Sequence, residues 1–187
     1  MRIKPDKTLI FYILLLLTSL LPVSVFGSTI LKDFKGEFHT VDDYKNEGRW
    51  LIVMLWASDC HVCNQEAHEY VKFHSAHTNK DAQMLGISLD GESTKAEAIK
   101  FMQKHKINFP SLIGEPEIIA QMYQNLTGKA WVGTPTFLVY APDGELRGQQ
   151  VGAVPTSVIE SFIASESTNN ESSSSTNKTV QPPTPNK

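Results

Sequence analysis

Cysteine is scarce in this chain, with two residues among 187, at positions 60 and 63. Basic charge is not in excess either. Seventeen lysines and arginines stand against 20 aspartates and glutamates, for a net charge of −3. Nucleic-acid binding asks for a basic stripe, so this balance points away from it. No cysteine stands directly after the N-terminal apolar stretch, which sets aside a lipoprotein anchor. What remains is ordinary: 41% hydrophobic and 20% charged residues, in a length that suggests one domain with appendages.

The appendages lie at the two ends. Arg2, Lys4 and Lys7 precede an apolar run over residues 9–21, and Val25-Phe26-Gly27 stands before a candidate cut at Ser28. That order of charge, apolar run and permissive residues is the pattern of a secretory signal peptide. The apolar run through residue 26, interrupted by Pro22, is also marginal for a span of about 20 residues, so an uncleaved membrane anchor stays open. Both alternatives keep the positive end cytoplasmic and export the domain, to the periplasm or the outer face of the inner membrane. Residues 165–187 carry four consecutive serines at 172–175, repeated Asn and Thr, and Pro182-Pro183-Thr184-Pro185. Such a segment buries too little apolar surface to offset chain entropy and is expected to be disordered. The domain is therefore expected over residues 28–164, after a leader or anchor at 1–27.

Within it, residues 50–57 form a continuous apolar run with β-branched and aromatic members, as in a strand buried on both faces. Helix-forming composition follows over 60–77, with Cys63, Ala67, Tyr70, Val71 and His74 at 3–4 spacing on one face. A short first strand is expected within 29–34 and a second buried strand over 83–89. Residues 93–105 form an amphipathic helix that would turn Ala96, Ile99 and Met102 inward. Another helix is expected over 116–126, with Pro116 in its first turn. Residues 136–140 and 145–151 flank Pro142-Asp143-Gly144, a hairpin signal, and 155–164 close with a helix. Strands alternating with helices, then a hairpin and a last helix, give an α/β fold with a central mixed β-sheet.

The two cysteines end the first buried strand and open the helix after it, in Trp56-Ala57-Ser58-Asp59-Cys60-His61-Val62-Cys63. A disulfide closing so short a loop restricts the unfolded chain little, which favours a redox role over a structural staple. Cys60, at the helix start, is the expected attacking sulfur, because free N–H groups and the helix dipole favour a thiolate there. Cys63, one turn deeper, would resolve the mixed disulfide. His61 would either support the thiolate when protonated or simply face solvent. Asp59 would either raise the thiol pKa by repulsion or cap the helix; the cap is the preferred reading. Trp56 is expected as a platform beside the site. The alternative in a different class is a metal-binding module, with Cys60, Cys63, His61, His68, His74 and His77 holding Cu(I).

Several further motifs occur in order: Gly86-Ile87-Ser88-Leu89-Asp90, Phe109-Pro110, and Gly133-Thr134-Pro135-Thr136-Phe137-Leu138 with Asp143-Gly144 downstream. Together with Trp56-Ala57-x-x-Cys60-x-x-Cys63 they span residues 34–162 and resemble the thioredoxin superfamily, in its exported TlpA/ResA-like branch. The resemblance implies a thioredoxin-like fold with a helix inserted between its βαβ and ββα halves. It implies a cis bond before Pro135, a loop against the cysteines, and a Thr134 backbone that pairs with an incoming substrate strand. It implies that Glu66 manages protons for the dithiol. Met54 stands where cytosolic thioredoxins carry a buried acid, which fits that reassignment. His61-Val62 between the cysteines, without the branch's proline, shifts the expectation toward a more oxidising couple. The superfamily's peroxidases carry Thr three residues before a lone reactive cysteine; Ala57 stands there in this chain.

The expected activity is thus thiol–disulfide exchange with protein substrates through Cys60 and Cys63, with Trp56, His61, Thr134 and Pro135 lining the substrate side. No cofactor is called for. The resemblance implies a reductase, renewed by a membrane electron donor and serving envelope thiol maintenance, with apocytochrome c or copper-site proteins as partners. An oxidase or isomerase role, or a copper metallochaperone, is the alternative.

Overall fold

A computed structural model describes residues 28–45 and 48–176, with side chains outside 169–176. The expected leader at 1–27 and residues 177–187 of the expected tail lie outside the described residues. The elements run β1 (Leu31–Asp33), β2 (Phe38–His39), a 3-10 turn (Val41–Tyr44), β3 (Trp50–Trp56), α1 (His61–His77), β4 (Ala82–Ser88) and α2 (Lys95–His105). They continue with β5 (Ser111–Ile113), α3 (Pro116–Thr127), β6 (Thr136–Tyr140), β7 (Leu146–Val151) and α4 (Thr156–Thr176).

The seven strands form one sheet in the order β2-β1-β5-β4-β3-β6-β7. β3, β4 and β5 are parallel, while β1, β2, β6 and β7 pair antiparallel. This is the expected mixed α/β sheet. β3 lies near its centre, and all seven of its residues are buried. Side chains alternate across a strand, so β3 feeds two cores at once. Ile52, Met54 and Trp56 join the side covered by α1, α2 and α4. Leu51, Val53 and Leu55 join the side covered by α3 and the 3-10 turn. A continuous apolar run is the sequence form of that double burial.

α1 buries Cys63, Ala67, Tyr70, Phe73 and His74. The Tyr70 hydroxyl donates to the Val154 carbonyl at 3.1 Å and accepts from the Val154 N–H at 3.3 Å, tying α1 to the segment beyond β7. Gly86 permits a close approach within the sheet. A Cβ there would lie 2.8 Å from Ser111 Oγ and 3.0 Å from Trp56 Nε1.

Three expectations need correction. α2 turns Ala98 and Phe101 inward, leaving Ala96 and Ile99 exposed. Both faces carry apolar residues at helical spacing, and the aromatic ring decides between them by burying more area. β5 and β2 had no counterpart among the expected strands. The helix expected to end at residue 164 continues as α4 to Thr176, so the domain boundary falls inside a helix. Ile159 and Ile163 anchor its first turns in the core. Extending a formed helix costs little, and the hydroxyls of Ser165, Ser167 and Thr168 bond back to helix carbonyls rather than opening the backbone.

Candidate active site

β3 and β4 leave the sheet together, because the Leu89 N–H donates to the Trp56 carbonyl at 2.8 Å. The chain then turns at Ala57–Cys60 and enters α1. Cys60 is the N-cap, with extended backbone (φ −67°, ψ 111°), and its Sγ accepts the Cys63 N–H at 3.1 Å. The sulfur therefore sits where a helix offers free donors and the positive end of its dipole. Cys60 is half-buried and Cys63 fully buried. The two form a disulfide with Cα atoms 5.2 Å apart. An accessible first sulfur over an inaccessible second one is the asymmetry that sequential exchange needs.

Asp59 is not the cap. It is exposed, one residue ahead of the position that can reach the first-turn N–H groups, and the Cys60 sulfur takes that place. The acid that organises the turn is Asp90, two residues past β4. Its carboxylate accepts the Ser58 N–H at 3.2 and 3.1 Å, the Ser58 hydroxyl, and the Ser88 hydroxyl at 2.5 Å. On the other side of the turn stands Asn64, which donates to the carbonyls of Ser58 and Cys60. Neither was among the expected site residues. A carboxylate ending a buried strand, and an amide one turn into the helix, were the available signals.

Trp56 is 2% exposed and stacks on Phe101 of α2, centroids 4.4 Å apart. It supports the redox turn from below and presents no face to a visiting chain, which corrects its expected place on the substrate side. His61 is exposed beside Cys60. Glu66 is half-buried on α1, close enough for its charge to act on Tyr70. Burial pushes the Tyr70 hydroxyl up to about 12; the Val154 bond opposes this and Glu66 adds to it.

The Thr134–Pro135 peptide is cis. β6 pairs antiparallel with β3 through Leu55↔Thr136, which sets Pro135 level with the end of β3, where the redox turn starts. Pro135 is buried and its carbonyl is held by the Gly152 N–H at 2.8 Å. Thr134 is half-exposed and lines one groove of about 650 Å³ with Ala57, Ser58, Asp59 and Trp131.

The histidines do not gather around the sulfurs. His74 is buried, and its Nδ1 accepts the Met84 N–H at 3.1 Å, spending a lone pair that a metal would need. His77 lies between Asp81, at 2.8 Å, and Glu160, at 3.3 Å. His68 is exposed and pairs with Glu69. Among the described residues, the one grouping of three metal-capable side chains is Asp33, Glu37 and His39, on the β1–β2 turn. Its Asp33 carboxylate is already taken up by the N–H groups of Lys35 and Glu37.

Burial, with the Arg49 charge behind it, holds the His74 imidazole below its ordinary range. The folded protein then binds this proton less readily than the unfolded chain. The stability it confers is whole above the unfolded value of about 6.5 and declines as pH falls below it. His105, lowered by burial and by Lys104, acts in the same direction. Urea midpoints are expected to be lower at about pH 5.5 than at about pH 7.5, with a smaller difference in His74→Gln. An unchanged difference would remove His74 from the account.

A cysteine pair at a helix N-terminus, beside a cis-proline loop on this sheet, is the site arrangement of a thioredoxin fold. The chain belongs to the AhpC/TSA family, whose sequence pattern matches residues 26–149. It is similar to alkyl hydroperoxide reductase C of Mycobacterium tuberculosis, 34% identical over 56 residues, and spans only 29% of that relative's length. It is also similar to the thiol-disulfide oxidoreductase ResA of Geobacillus kaustophilus, 23% identical over 144 residues, which cover 74% of this chain and 76% of that one. Among solved structures, the thioredoxin domain of a thiol-disulfide oxidoreductase from Bacteroides vulgatus superposes with a TM-score of 0.60 at 19% identity. That match covers 77% of this chain and 99% of the other, and shows the shared fold.

Proposed function

We propose that the chain is an exported reductase of protein disulfides, acting in envelope thiol maintenance or cytochrome c maturation. The observation that carries this reading is the pairing of a half-exposed Cys60 at the helix N-cap with a fully buried Cys63. The Cys60 thiolate attacks one sulfur of a substrate disulfide. A Cys60–substrate bond forms, the substrate S–S bond breaks, and the first substrate thiolate leaves. The Cys63 thiolate then attacks Cys60 Sγ, releases the second substrate thiolate and closes the resident disulfide. Two electrons have passed to the substrate, whose two thiolates take up protons. A membrane thiol donor restores the resident pair by the same steps in reverse.

Glu66, half-buried one turn beyond Cys63, is the group we assign to carry the Cys63 proton. The Thr134 backbone, on the groove that includes the redox turn, pairs with the substrate strand. Export rests on the charged, then apolar N-terminal sequence. Apocytochrome c and copper-site proteins are the substrates that the TlpA/ResA-like resemblance suggests.

The oxidising direction has an observation of its own: His61 is exposed beside Cys60 and, when protonated, favours the thiolate and so the reduced form. Trapping thiols in intact cells and counting alkylated cysteines separates the two directions. A reductase is held mainly with both cysteines free, an oxidase mainly as the disulfide. A pair that keeps one state when the envelope donor or oxidant is removed would overturn both.

A further inference from the structure

We propose that Asn64 is a positioning residue for the redox pair: anchored by helix α2, its amide holds the turn that presents Cys60 and favours the thiolate there. This rests on the exchange reading above.

The Asn64 side chain uses its full hydrogen-bonding capacity. Nδ2 donates to the Ser58 carbonyl at 2.9 Å and to the Cys60 carbonyl at 3.0 Å. Oδ1 accepts from Lys104 Nζ at 3.0 Å and from His105 Nε2 at 3.0 Å. Two donors and two acceptor sites are all that an amide has. The lysine ammonium can only donate and the carbonyls can only accept, so the orientation of the amide is determined. His105 is itself seated against Phe101, centroids 4.5 Å apart, and Phe101 stacks on Trp56. The inserted helix therefore grips the redox turn twice, through a ring stack beneath it and through Asn64 beside it.

The consequence is electrostatic. The Ser58 and Cys60 carbonyl oxygens belong to the turn that carries the attacking sulfur. Their partial negative charge opposes a thiolate on Cys60. Donation from Asn64 absorbs part of that charge, and the Lys104 ammonium on Oδ1 polarises the amide in the helpful sense. Without the amide the thiolate loses support, the reduced form loses stability relative to the disulfide, and Cys60 reacts more slowly below neutral pH.

The test is Asn64→Leu, close in size and without polar atoms. Equilibrated against glutathione buffers, it is expected to shift about tenfold toward the disulfide, about 30 mV more negative for this two-electron couple. The pH midpoint for alkylation of Cys60 is expected to rise by about one unit. Asn64→Ser, the second variant, takes the same readings should the leucine variant fold poorly, with circular dichroism as the check. Lys100→Met, on α2 beside Lys104 and His105 in sequence but paired with Glu97 instead of Asn64, is expected to stay within about twofold of the parent. Folded Asn64 variants that match the parent in both readings would overturn the inference. A parent pair that never equilibrates with glutathione would instead overturn the exchange reading beneath it.

Discussion

Cys63→Ser is expected to turn the protein into a trap that stays disulfide-linked to its substrates through Cys60, while Cys60→Ser captures nothing. The asymmetry follows from exposure. Cys60 is half-buried at the helix N-cap, its sulfur facing the Cys63 N–H, and a visiting disulfide can reach it. Cys63 is fully buried, so its serine variant keeps the attacking sulfur and loses only the second step. Insulin reduction by Cys60→Ser is expected to fall at least about a thousandfold, the scale seen when a nucleophile is removed. Mixed disulfides isolated from the cell envelope identify the substrates. Capture by the Cys60 variant instead would reverse the assigned order of attack.

The largest loss of stability is expected from Trp56→Ala, at about 3–5 kcal/mol. The indole is 2% exposed, stacks on Phe101 and lies against the backbone of Gly86, so its removal leaves a cavity at the junction of β3, β4 and α2. Urea unfolding measures the loss, and the variant is also expected to exchange disulfides more slowly, since the turn that follows Trp56 loses its floor. A cost below about 1 kcal/mol would mean that the tryptophan is not the support described.

Much of this site can be read directly from the residue order. The apolar run ending in Trp56, the paired cysteines, and Thr134-Pro135 before another apolar strand each mark an element that does not depend on distant partners. β3, α1 and β6 accordingly lie where the pattern placed them. The misses share a different cause. β2 and β5 have two and three residues, too few for a period to show, and they exist because their neighbours complete the ladder. α2 has two faces that satisfy helical spacing, and the choice between Ile99 and Phe101 is made by Trp56, which is remote in sequence. Asp59 looked like a cap because carboxylates cap helices, but a sulfur one residue later has the better geometry. Asp90 and Asn64 are ordinary polar residues until the fold brings them to either side of one turn.

Cycling of Cys60 and Cys63 can be measured without knowing any partner. The purified protein, equilibrated with glutathione buffers spanning reducing to oxidising ratios and quenched with an alkylating agent, is weighed by mass spectrometry. We expect a reversible two-electron transition between a species with two alkylated cysteines and one with none, at a midpoint reached from either side. A pair that stays closed in every reducing buffer, or open in every oxidising one, would contradict the claim that Cys60 and Cys63 cycle.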